Sequence, residues 1–160
     1  MDDSELSVVK RHMSRPPVNP ESILTALGVR FSTAEMPEGA SGDIRRRRSG
    51  EYEVRVNARE GLQRRRFTAA HELAHYLLHR DLIDEHGHLD RLYEVRASNP
   101  SEPLSPEHEV QANKLAAQIL MPATQVKRYY GMEGLNELAA RFQVSPAAMR
   151  IRLKALGLTA

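Results

Sequence analysis

Residues Phe67–His79 read FTAAHELAHYLLH, and the spacing of the apolar residues in this stretch decides the fold. Ala70, Leu73, Ala74, Leu77 and Leu78 recur at three- and four-residue intervals, which predicts a helix with one apolar stripe. Inside it lies HELAH, two histidines four residues apart with a glutamate directly after the first. Positions i and i+4 project from one side of a helix about one turn apart, so the imidazoles of His71 and His75 can converge on one small cation. Glu72 is turned roughly a quarter of the way round. Its carboxylate then stands beside such a cation, placed to take a proton from water that the metal has acidified. This is the physical reason for the HExxH spacing of zinc peptidases. The alternative is a helix with two hydrogen-bonded core histidines, but it would bury the charge of Glu72 at a cost.

A catalytic zinc commonly takes three protein ligands and leaves one position open. Several residues compete for the third place. Asp81 fits the spacing of HExxHxxGxxH, but that arrangement needs a glycine turn where this chain has Leu78. In the next apolar segment, Glu109 shares a helical face with Ala112, Asn113, Ala116 and Leu120, a small and mostly apolar stripe on which a carboxylate needs a cation. His108 is a rival above Ala112, Leu115 and Ile119, and it could also support a ligand from behind or cap the helix. Glu107 aligns with Gln111, Lys114 and Gln118 and reads as solvated. His79 sits a turn too far along its helix, and His86 and His88 fall in an expected loop.

The rest of the chain sets bounds. In its 160 residues, 41% are hydrophobic and 28% charged, the balance of a folded soluble protein. No apolar run approaches a membrane span, and the start MDDSELSVVKRH lacks the apolar centre of a signal peptide, so a cytoplasmic location is expected. Without cysteine, any zinc site must be built from His, Asp and Glu. The net charge is +2, with arginines gathered in Arg45–Arg48 and Arg64–Arg66. Such runs can meet nucleic acid or an acidic protein, but each alone reads first as solvated loop or strand-edge charge.

Along the chain, the adjacent prolines of SRPPV predict a flexible N-terminal arm over residues 1–18. Asn19, Pro20 and Glu21 have the chemistry of a helix start, and Gly28 marks its end. Val29–Phe31 suits a short strand, EGASGD a turn, and YEVRVN (Tyr52–Asn57) a half-buried strand with its valines on one face. Residues 80–106 read mostly as a long loop with the prolines of SNPSEPLSP. Ser105, Pro106 and Glu107 start a helix that runs to Met121 and Pro122, and a final helical pair covers roughly 135–142 and 146–156.

FTAAHELAHYLLH, followed by EVQANKLAAQILMP (Glu109–Pro122) and LAARFQVSPAAMRIRL (Leu138–Leu153), resembles the ImmA/IrrE family of metallopeptidase-like proteins over about residues 19–158. The resemblance implies one zinc ion held by His71, His75 and Glu109, with Glu72 as general base. It also implies an α+β, mainly helical fold: a zincin-like core over 19–130 with a small β-sheet beside the HExxH helix, and a helix-turn-helix-like pair over 131–160 packed on it. In that picture the strand Tyr52–Asn57 is either structural or the edge that pairs with an extended substrate. Family members include proteases that cut helix-turn-helix repressors and toxin-like partners of such repressors. The implied function is therefore a zinc endopeptidase acting on a cytosolic regulator, a repressor or an antitoxin. Two alternatives stand beside it: a toxin or regulatory binding protein that keeps the fold, and a DNA-binding regulator. In the C-terminal pair, Arg150, Arg152 and Lys154 are placed to meet phosphate, but Gln143 stands where the turn usually has glycine, so packing or partner recognition is preferred over nucleic acid. Tyr129, Tyr130 and His108 are candidate donors to a developing oxyanion.

Overall fold

The central helix begins five residues before Phe67, as α3 over Leu62–His79. The run Arg64–Arg66 is therefore helical rather than a loop or strand edge. Arginine is a good helix former, and two of these side chains have anchors. Arg64 Nη2 donates to Ser41 Oγ (3.3 Å), and Arg66 Nη2 donates to Val18 O (2.8 Å) and Phe142 O (3.3 Å). The structure is a computed structural model that describes residues 1–83, 87–91 and 104–158, and these form seven α-helices and one four-stranded sheet.

Three stripes run along α3. Ala69, Leu73 and Leu77 join Ile23, Leu24, Ile44, Val54 and Val56 in one apolar cluster, while Ala70 joins a second with Ala116, Leu120, Leu138, Phe142, Met149 and Leu153. His71, His75 and His79 form the third, all buried. Leu78, expected on the apolar stripe, is instead 43% exposed. A helix that touches a sheet on one side and helices on another has little room left for solvent, and Leu78 takes that remainder.

The sheet order is β1 (Arg30–Ala34), β3 (Tyr52–Asn57), β2 (Ala40–Arg46), β4 (His88–Arg91). β3 pairs parallel with β1 and antiparallel with β2, and β2 pairs antiparallel with β4. Tyr52–Asn57 is thus an interior strand. Both its edges carry ladder hydrogen bonds, so it cannot add a substrate strand, and the edge role is corrected to a structural one. Part of EGASGD, expected as a turn, is the start of β2. Gly42 in that strand admits α3: a Cβ there would stand 2.6 Å from Thr68 Cγ2 and 2.7 Å from Arg55 O. On the outer face Arg55 pairs with Asp43, and Arg45 with Glu53 at 3.0 Å. β4 and the 3₁₀ turn Arg80–Leu82 interrupt the expected long loop, while His86 and the SNPSEP stretch lie outside the described residues.

Asn57 closes β3 with a buried side chain that ties down the segment between β1 and β2. Its Nδ2 donates to Ala40 O (2.7 Å) and Met36 O (3.4 Å), and its Oδ1 accepts from Met36 N (3.2 Å) and Arg59 N (3.0 Å). Asn57→Ala leaves several buried backbone groups without partners, so unfolding stability should fall by about 2–4 kcal/mol, read as a lower denaturant midpoint at unchanged slope.

The expected flexible arm is, over Asp3–His12, helix α1. Asp2 and Glu5 form a reciprocal capping box, Val9 is buried in the sheet-side cluster, and Arg80 Nη1 and Nη2 hold Glu5 at 2.6 and 3.1 Å. Helix α2 (Pro20–Ala26) starts at Asn19 as its sequence indicates, with Asn19 Oδ1 accepting from Ser22 N (3.2 Å), and ends before Gly28 at φ 81°. After α4 (Pro106–Leu120) come α5 (Ala123–Tyr129), which is not among the expected helices, then α6 (Leu135–Phe142) and α7 (Pro146–Ala155). Arg152 Nε donates to Met121 O (2.9 Å), and Arg66 binds the carbonyls at the end of α6, so two arginines lock this pair to the core. Burial lowers the pKa of both guanidinium groups, which nonetheless remain charged.

Candidate metal centre

Helix α4 lies against the histidine stripe of α3. Ser105 caps α4 by accepting from His108 N (3.3 Å), and Pro106 occupies its first turn, so the helix starts where the sequence indicates. That start sets the rotation of the helix and turns Glu109 toward His71 and His75. Glu109 Oε2 stands 3.1 Å from His71 Nε2, Glu109 Oε1 stands 3.0 Å from His75 Nε2, and the two Nε2 atoms are 3.0 Å apart. Glu72 is fully buried. One ligand atom each from His71, Glu72 and His75 lie within 4.8 Å of one another.

The outer hydrogen bonds decide where the imidazole protons sit. His71 Nδ1–H donates to Asn113 Oδ1 (2.8 Å), which leaves His71 Nε2 unprotonated in the neutral ring. His79 Nε2–H donates to Gln111 Oε1 (2.8 Å), which leaves His79 Nδ1 as an acceptor. With that acceptor, His75 Nδ1–H donates to His79 Nδ1 (3.0 Å), which leaves His75 Nε2 unprotonated in the neutral ring. Burial, the largest influence, lowers the pKa of His79 from its ordinary value, so the ring stays neutral near pH 7 although the Gln111 bond opposes the shift.

Two imidazole lone pairs and a carboxylate therefore face one point. A single proton can bridge one pair of them at a time, whereas a divalent cation satisfies all three. Tetrahedral ligands about 2.0–2.1 Å from zinc stand about 3.3 Å from each other, close to the 3.0–3.1 Å spacings here. With two imidazoles, one carboxylate and no thiolate, the donor set suits a divalent metal ion.

The competing residues are placed elsewhere. Asp81 is exposed on the 3₁₀ turn, and Glu107 is exposed on α4. His108 closes the cap, its Nδ1 accepting from Ser105 N (3.0 Å), and its ring packs 4.6 Å from that of His79. Tyr129 lies under Arg141, whose guanidinium is 4.0 Å from the ring centroid, and Tyr130 lines a groove with Leu135 and Leu138. Sequence reasoning did not find the roles of Asn113, Gln111 and His79. Asn113 shares a helical face with Glu109 in the sequence, and that shared face is the available signal.

A family profile described as "IrrE N-terminal-like domain", of a peptidase family, matches residues 24–154. Among solved structures, a Mycobacterium tuberculosis transcriptional regulator is similar in fold, with TM-score 0.56 and 18% identity over 96% of this chain and 47% of that one. The chain thus spans about half the length of that regulator. No curated protein matches the sequence. No helix among the described residues is long and apolar enough to cross a membrane.

Proposed function

The chain belongs to the IrrE N-terminal-like peptidase family, and from that premise we propose that it is a zinc-dependent endopeptidase of the cytoplasm whose substrate is a protein regulator, a helix-turn-helix repressor or an antitoxin. The observation that carries this reading is the convergence of His71 Nε2, His75 Nε2 and the Glu109 carboxylate at 3.0–3.1 Å, while the Nδ1 of each histidine faces Asn113 or His79. These three side chains hold the ion. When bound, it supplies a Lewis acid for the scissile carbonyl and acidifies water. Glu72, buried beside His71 and His75, accepts the proton of the attacking water and passes it to the leaving amine. The buried helix keeps that carboxylate in one place and excludes bulk water around it. In this reading residues 19–130 form a zincin-like unit, and 131–160 a helical subdomain docked on it through Arg66 and Arg152.

Glu109 is the third ligand in this account. Glu109→Gln should weaken zinc binding by about a hundredfold or more, while Glu107→Gln, on the exposed face, should change it less than about twofold. Competition against a chelator dye measures both. Equal losses would show that the facing of α4 does not set the ligand.

A second reading is favoured by the C-terminal pair. Gln143 adopts the left-handed conformation (φ 53°, ψ 45°) that a helix-turn-helix usually assigns to glycine, and Arg150, Ile151 and Lys154 are exposed on α7. Together with the regulator whose fold is similar, this supports a chain that binds a repressor, or DNA, and acts without cleaving. Incubating the zinc-loaded protein with a repressor encoded beside its gene separates the readings. Chelator-sensitive cleavage at one site supports the peptidase, and binding without cleavage supports the regulator.

A further inference from the structure

Of the two hydrogen bonds that the histidine pair donates outward, that of His71 goes to an exposed side chain and that of His75 to a buried one. Asn113 is exposed, so water can replace its carbonyl oxygen as acceptor. His79 is 6% exposed, its ring centred 5.2 Å from that of His75 and 4.6 Å from that of His108, and its Nδ1 lies 3.0 Å from His75 Nδ1. We infer that His79 is a positioning residue for the metal site: its Nδ1 lone pair holds the imidazole proton of His75 on Nδ1 and so keeps His75 Nε2 available to the ion. This rests on the metallopeptidase reading and adds to it a residue that does not touch the ion.

The reasoning is one of proton accounting. Imidazole Nδ1 and Nε2 share one proton in the neutral ring, and whichever nitrogen lacks an acceptor tends to lose it to the other. Take the acceptor away from a buried Nδ1–H and the cost of leaving that donor unsatisfied drives the proton to Nε2, where it meets the Glu109 carboxylate at 3.0 Å. The proton then occupies the place of the cation. Gln111 secures His79 from outside by accepting from its Nε2–H, but Gln111 is exposed, so water can serve in its stead.

Three variants and one spectroscopic readout test this. In metal-free wild-type protein, long-range ¹H–¹⁵N spectra should show His75 protonated on Nδ1 and His79 on Nε2. His79→Leu, close in size but without an acceptor, should move the His75 proton toward Nε2 and weaken zinc binding by about 10–100-fold in chelator competition. His79→Asn, whose Oδ1 falls near the position of Nδ1, should restore the tautomer and bring affinity within about threefold of wild type. Gln111→Ala should lose less than about threefold. Unchanged affinity in His79→Leu overturns the inference, and so does an equal loss in His79→Leu and His79→Asn, since ring shape would then be what matters. Should His79→Leu not fold, the wild-type spectrum decides alone: His75 protonated on Nε2 overturns it. Should the wild type bind no zinc, the peptidase reading fails, while the tautomer still decides the role of His79.

Discussion

Glu72→Gln is expected to keep the metal and lose the reaction. Cleavage of the protein substrate should fall by about 10²–10⁴-fold, the range for removing a general acid–base group, while zinc content and partner binding stay at wild-type levels. The amide has the size of the carboxylate and cannot take a proton. It fits the same buried position beside His71 and His75. Single-turnover cleavage against zinc stoichiometry on the same sample separates the two effects. If the variant loses its metal, Glu72 is a ligand and the assignment of roles between Glu72 and Glu109 is wrong. Full cleavage by the variant would place the general base elsewhere.

The second large effect belongs to the histidines. His75→Ala should lower zinc affinity by about 10²–10³-fold, since free energies of about 10–16 kcal/mol for four-ligand structural zinc sites correspond to about 2.5–4 kcal/mol per ligand. His71→Ala should do the same. Both losses should exceed that of His79→Leu, because a ligand bonds the ion and a positioning residue only prepares the ligand. The helix should survive either change, since alanine is the best helix former and the apolar contacts of Leu73 and Leu77 are untouched. Helical circular dichroism beside metal titration checks both points.

What the sequence made legible follows from range. The α3 stripe, the valine alternation in β3, the Asn19 and Ser105 caps and the C-terminal helical pair are signalled within a few residues, and the structure has elements at those places. The facing of Glu109 was legible too, because one helical stripe of small residues carries it. Strand order was not. That β3 lies between β1 and β2 depends on pairing between distant segments, and no local pattern distinguishes a central strand of six residues from an edge. Helix α1 was hidden because its capping box uses Asp2 in a polar segment followed by prolines. Arg64–Arg66 read as surface charge because the carbonyls that receive Arg66 belong to residues 18, 142 and 143. The same distance in sequence concealed the outer hydrogen bonds: Asn113 and Gln111 are 42 and 32 residues from the histidines they serve.

X-ray absorption at the zinc edge, on wild-type protein given one equivalent of zinc, tests the central claim most directly. The expected spectrum shows four nitrogen or oxygen neighbours at about 2.0–2.1 Å, with the outer-shell scattering of two imidazoles, and one imidazole contribution disappears in His75→Ala. A spectrum with no imidazole scattering, or with the same two imidazoles after His75→Ala, would contradict the site formed by His71, His75 and Glu109.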